Sequence, residues 1–195
     1  MLRVAVVIGF GALLLIVLRG GGLGSADGAT SARDLLPFQR LFRDAPPELQ
    51  RAYRAIQEGL IEAENARGTT GKWPAAEELA AQGVPPFAPD PIDKARYSWS
   101  LAQDGLCVDY RGVPASAGAP ELLAWIQEPL PGYGEKLDPR APLDETHHRL
   151  ADGSVLHVSV WYREAASARD GVVCQPADAG FLQILVGDAP GGRPR

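Results

Sequence analysis

The sequence predicts an α+β domain behind a membrane segment. An N-terminal transmembrane or signal-anchor helix comes first, then one amphipathic helix packed on a small antiparallel sheet built from hairpins. Three observations lead there. Val4 to Leu18 carries no charge and lies between Arg3 and Arg19. Pro47 to Arg67 repeats its apolar residues at helical spacing. Two Asp-Gly dipeptides mark hairpin turns: Asp104-Gly105 stands between two runs that alternate apolar and polar residues, and Asp152-Gly153 precedes another, Val155 to Tyr162.

At ~1.5 Å per residue the Val4–Leu18 helix covers roughly 22 Å of a ~30 Å hydrocarbon core. That is short for a span, but Met1, Leu2 and the snorkelling Arg3 and Arg19 extend it. Arg3 and the amino terminus favour a cytoplasmic start, an asymmetry that Arg19 weakens. The reading is a single-pass inner-membrane anchor over residues 2–19 with the C-terminal domain in the periplasm. A cleaved signal, with Gly24-Ser25-Ala26 as a passable site, and a buried core helix are the alternatives.

The chain divides into an anchor or signal segment at 1–23, a linker with a short amphipathic helix at 24–46, a soluble α+β domain at 47–187 and a flexible tail at 188–195. In the linker region Leu35, Phe38, Leu41 and Phe42 recur at helical spacing. The main helix starts after a capping Asp44 and the tolerated Pro46-Pro47, buries Leu49, Tyr53, Ile56, Leu60 and Ala63, and ends at Gly68. Gly59 beside that stripe predicts close packing on a sheet. Glu58, Glu62 and Glu64 fall on the solvated side. A second, short helix runs from Pro74 to about Gln82.

Asp104-Gly105 as a two-residue turn sets Trp99 opposite Tyr110 and Leu101 opposite Val108, with Ser100 and Asp109 on a wet face. Glu121 to Glu128 reads as a strand, and Phe181 to Val186 as the last one.

All three histidines, His147, His148 and His157, fall in the second hairpin. A two-residue turn sets His148 opposite His157; a three-residue turn that includes Ala151 sets His147 there. In either register two imidazoles stand about 5 Å apart at Cβ, near enough to share a metal ion. Adjacent strand residues face opposite ways, so His147 and His148 cannot both join His157. Glu145 accompanies His147 and Asp144 accompanies His148 as candidate further ligands. The candidate metal set is therefore His148, His157 and His147, and the metal a divalent transition ion such as zinc. The alternative is a solvated polar face.

Composition narrows the function classes. A net charge of −5 argues against a nucleic-acid partner. The sequence holds no phosphate loop, dinucleotide fingerprint, zinc-protease helix or nucleophile elbow, so no catalytic or cofactor-binding residue and no enzyme activity are expected. Cys107 and Cys174, the two cysteines, are a candidate disulfide worth ~2–4 kcal/mol in an oxidising compartment, or else two small buried thiols.

Two resemblances follow from particular residues. An apolar segment, an amphipathic helix ending in Ala66-Arg67-Gly68-Thr69-Thr70-Gly71-Lys72-Trp73-Pro74, and then strands resembles the pilin and pseudopilin layout over residues 1–112. It implies a structural component of a secretion or pilus system. The chain departs from that pattern in having no glutamate in Val4–Leu18 and in the interruptions at Gly20-Gly21-Gly22, Pro37 and Pro46-Pro47. The whole chain, through Glu145-Thr146-His147-His148-Arg149-Leu150-Ala151-Asp152-Gly153 and His157-Val158-Ser159-Val160-Trp161, is similar to an uncharacterised family of short, singly membrane-anchored bacterial envelope proteins. Some of these are linked to metal uptake. This implies an accessory role beside an envelope protein complex.

Overall fold

The computed structural model describes residues 35–91, 94–130, 145–164 and 171–186, which all belong to one compact unit, Ser31–Gly187. The expected anchor at 1–23, most of the linker, Asp144 and the tail at 188–195 lie outside the described residues. Among the described residues no helix is long and apolar enough to cross a membrane.

The architecture is α+β. Among the described residues seven strands form one mixed sheet: β1 Gln39–Leu41, β2 Tyr97–Asp104, β3 Cys107–Pro114, β4 Glu121–Gln127, β5 His147–Arg149, β6 Val155–Arg163 and β7 Leu182–Leu185. Their order is β1-β7-β6-β4-β3-β2, with β5 also pairing β6. The expected all-antiparallel sheet is corrected at one edge, where β1 pairs β7 in parallel.

Helix α1, Pro47–Thr70, packs on one face of that sheet and the short α2, Ala76–Ala81, lies beside it. The stripe Leu49, Tyr53, Ile56, Leu60 and Ala63 is buried as its spacing requires. It meets Val108, Tyr110, Leu122, Ala124, Ile126, Leu156, Val158 and Val160 from three strands, β3, β4 and β6. Each large side chain in this layer contributes about 1.5–3 kcal/mol by leaving water.

Both ends of α1 differ from expectation. Asp44 lies in a 3-10 turn, Phe42–Asp44, and Pro46 takes the cap position without a side-chain cap bond. At the other end the helix passes Gly68, and the hydroxyls of Thr69 and Thr70 bond back to the carbonyls of Asn65 and Ala66. It stops at Gly71, whose left-handed φ of 75° lets its N–H reach the Arg67 carbonyl at 2.9 Å. Gly59 packs on the Pro85–Phe87 turn and not on the sheet. A methyl there would run into the Pro85 carbonyl oxygen and come within 2.8 Å of the Phe87 ring.

The short amphipathic α-helix expected before α1 is corrected where it is described: Gln39–Leu41 is strand β1 and Phe42–Asp44 a 3-10 turn. Leu41 is 1 % exposed. Phe42 packs on Tyr53 at 5.1 Å between ring centres, and Phe38 stacks on Trp161 at 6.0 Å. Phe38 and Phe42 thus serve different hydrophobic clusters, which an extended backbone allows and one helix face does not. Extended chain and a 3-10 turn therefore precede Pro47, and the unbroken long helix of the pilin-like layout does not extend through residues 39–46.

The first hairpin forms, with its register shifted. Gly105-Leu106 is the turn, and Gly105 takes a φ of 57° at its first position. Trp99 now opposes Gly112, and Leu101 opposes Tyr110. The missing side chain at Gly112 makes room for the indole, since a Cβ there would sit 2.8 Å from the Trp99 ring. The expected wet face holds at Ser100, which is exposed, and is corrected on β3. Asp109 and Arg111 are buried, because Gly171–Phe181 lies over that side of β3 and Cys174 is bonded to Cys107.

Candidate functional site

The second hairpin presents the candidate site. Its turn is built on Ala151-Asp152-Gly153. Asp152 Oδ1 accepts from the Ser154 N–H at 2.9 Å and from the Ser154 hydroxyl at 2.6 Å, and Gly153 takes a φ of 86°. Leu150 N–H bonds to the Ser154 carbonyl at 2.9 Å. This closes the three-residue alternative, and the register pairs His147 with His157, His148 with Leu156 and Arg149 with Val155.

His147 and His157 therefore share a face. Their rings stack with centroids 4.9 Å apart and planes 28° from parallel. His157 is exposed and His147 half-buried. The Trp125 ring stands edge-on to His157 at 5.7 Å. His147 Nδ1 lies 3.2 Å from the Thr146 hydroxyl. A hydroxyl that accepts from Nδ1–H makes Nε2 the basic nitrogen of that imidazole.

His148 points through the sheet toward α1, and the structure separates it from the other two candidates. Its Nδ1 lies 2.6 Å from Glu64 Oε1, and its Nε2 lies 3.3 Å from the Glu145 carbonyl. Glu64 is thus a half-buried partner of the hairpin and does not belong to the solvated face, while Glu58 and Glu62 are exposed. The Glu145 carboxylate accepts from the Val186 N–H at 3.1 Å. Among the described residues no three His, Cys, Asp or Glu side chains gather as a metal-holding group.

A cross-strand row ties the histidines to the cysteines. Cys107 pairs Gln127, Gln127 pairs His157, and His157 pairs His147. The Cys107–Cys174 disulfide is formed, with 5.7 Å between Cα atoms.

Beyond that row the same face also carries buried polar groups. Glu121 is fully buried and bonded to both Arg111 and Arg163. Asp109 is fully buried. Its Oδ2 accepts from the Val173 N–H at 2.6 Å, and its Oδ1 has no hydrogen-bond partner. Burial drives its pKa from the usual 3.8 to about 6; the Val173 bond and Arg111 pull the other way, and Glu121 adds to the rise. The sequence reading missed Glu64, Trp125, the Arg111–Glu121–Arg163 group and Asp109. For Glu64 the i+4 spacing from the buried Leu60 was an available signal.

No curated protein and no solved structure shows significant similarity to the chain. The model of a family of unknown function, DUF6162, matches residues 39–185, the stretch from the first residue of β1 to the last of β7, and the chain belongs to that family.

Proposed function

We propose that this is a membrane-anchored periplasmic accessory protein that offers His147 and His157 to a divalent transition metal, zinc foremost, for an envelope metal-uptake system. The observation that carries the reading is the register pairing of the two histidines with stacked rings at 4.9 Å. Small side-chain rotations bring two such nitrogens to the ~2.0–2.1 Å bonds that zinc requires. Two protein ligands leave the remaining positions to water or to a partner's side chains, which suits a site that passes its metal on. The apolar run Val4–Leu18 and a disulfide between the two cysteines fit an exported domain.

Calorimetric titration of the full-length chain in detergent with zinc tests the reading. Wild type is expected to bind with a measurable heat, and His157→Ala to weaken binding by at least about tenfold, since even loss of a ligand's outer-shell partner costs that much. Equal heats from the two proteins overturn the metal site.

A further inference from the structure

The face of the sheet opposite α1 has an unusual cover. The connection from β6 to β7 is about eighteen residues long, well beyond the usual loop between paired strands. Its later stretch, Gly171–Phe181, lies over β3, β4 and β6 without regular secondary structure. Its hydrogen bonds run largely within itself. Ala179 N–H reaches the Gln175 carbonyl, Gly180 N–H the Ala177 carbonyl and Phe181 N–H the Pro176 carbonyl, at 2.9–3.1 Å. It is held to the sheet by the Cys107–Cys174 bond, by Val173 N–H on Asp109, by Arg163 Nη1 on the Ala179 carbonyl at 2.8 Å, and by Phe181 beneath the Arg163 guanidinium at 4.4 Å. Among the described residues the apolar cluster it closes has three buried members, Leu123 and Trp161 on the sheet and Phe181 of the strap itself. The opposite cluster, under α1, is far larger.

We propose that Gly171–Phe181 is a redox-released strap: reduction of the Cys107–Cys174 bond lets it lift from the sheet while the sheet and its helices stay folded. A dithiol reductant supplies two electrons and two protons, becomes a disulfide itself, and leaves Cys107 and Cys174 as thiols. What favours lifting is Asp109. When ionised, it is a buried carboxylate with one oxygen unpartnered, and hydration would satisfy it. The charged groups acting on it are Arg111 on its own strand and Glu121 on β4; Arg163 on β6 bonds Glu121 as Arg111 does. The two arginines are thus already engaged by one carboxylate. The covalent bond keeps the strap seated over a charge that prefers water, and protonation of Asp109 removes that preference. Lifting exposes Leu123 and Trp161 and unroofs Trp125, which borders His157. The inference stands apart from the metal reading, because no step in it needs a metal.

Hydrogen exchange read by mass spectrometry on the full-length chain in detergent tests it, before and after dithiothreitol, at pH ~7.5 and, once reduced, at pH ~5, with intrinsic rates corrected. On reduction at the higher pH, exchange in 171–181 is expected to rise at least about tenfold while α1 and β4 keep their protection. At the lower pH, or in Asp109→Asn, the reduced strap is expected to stay protected. Unchanged exchange in 171–181 overturns the proposal. So does loss of protection in α1 as well, since the bond would then be a staple of the whole domain. A reduced Asp109→Asn chain that opens as wild type does removes the carboxylate from the device.

Discussion

The Asp109 carboxyl sits where its neutral form is preferred, and that preference sets a sign for stability against pH. Its pKa is about 6 in the fold and 3.8 when free. Below pH ~4 both states hold the proton and nothing is lost. Between the two values the folded chain keeps a proton that the unfolded chain releases, so stability falls as pH rises, and above pH ~6 the full cost is present. Two pKa units correspond to roughly 3 kcal/mol. Asp109→Asn keeps an acceptor for the Val173 N–H and carries no charge. It is expected to raise the stability of the oxidised chain by up to ~3 kcal/mol at pH ~8 and by nothing at pH ~4. Urea titrations at the two pH values check this, and a gain independent of pH would refute it. Asp109 was illegible as a buried acid in the sequence. Polar residues alternating with apolar ones on a hairpin ordinarily mark water. The information that it is covered lies in Val173 and Cys174, far along the chain.

At the scale of elements, periodicity gave α1 its buried face and Gly59 gave it a close neighbour, but not which one. The stripe Leu49, Tyr53, Ile56, Leu60 and Ala63 reads directly from helical spacing, and all five are buried. The hairpin strands β2, β3 and β6 also read from their alternation, while β4 does not alternate strictly and register did not read at all. Whether Gly105 ends the first turn or opens it moves every cross-strand partner by two positions and leaves the faces unchanged, so the apolar pattern cannot choose. In the second hairpin the two possible turns put different histidines opposite His157, and the Ser154 bonds to Asp152 accompany the longer one. β1 was missed because helix and strand share the spacing of so short an apolar run, and its parallel partner β7 lies at the far end of the domain. Gly59 turns the element argument into a measurement. In an open helix, alanine for glycine gains about 1 kcal/mol. Here the added methyl meets the Pro85 backbone and the Phe87 ring, and overpacking of that kind costs typically ~1–3 kcal/mol. Gly59→Ala is therefore expected to lower stability in chemical denaturation. A net gain would show that the Pro85–Phe87 turn yields without resistance.

For the molecule as a whole, the sheet is covered unequally. Among the described residues, helices and a large apolar cluster cover one face, and the bonded strap together with Phe38 covers the other. The second cover depends on the compartment in which the chain folds, because its covalent tie forms and persists where thiols are oxidised. The leading apolar run from Val4 to Leu18 then has a consequence far from itself. If it carries the domain across the inner membrane, Cys107 and Cys174 meet an oxidising environment and pair. If residues 2–23 are deleted, the same domain stays in the reducing cytosol with both thiols reduced. Treatment of intact cells with a large maleimide, under denaturing quench and without reductant, reads the difference as a gel shift. The full-length chain is expected to resist labelling until a reductant is added, and the deleted chain to take up two maleimides at once. Two free thiols in the full-length chain would remove the exported location and, with it, the physiological trigger of the strap. The strap's mechanical response to reduction in vitro would remain a separate and still measurable property, because it depends on where Cys107 and Cys174 sit in the fold and not on how the chain arrives there.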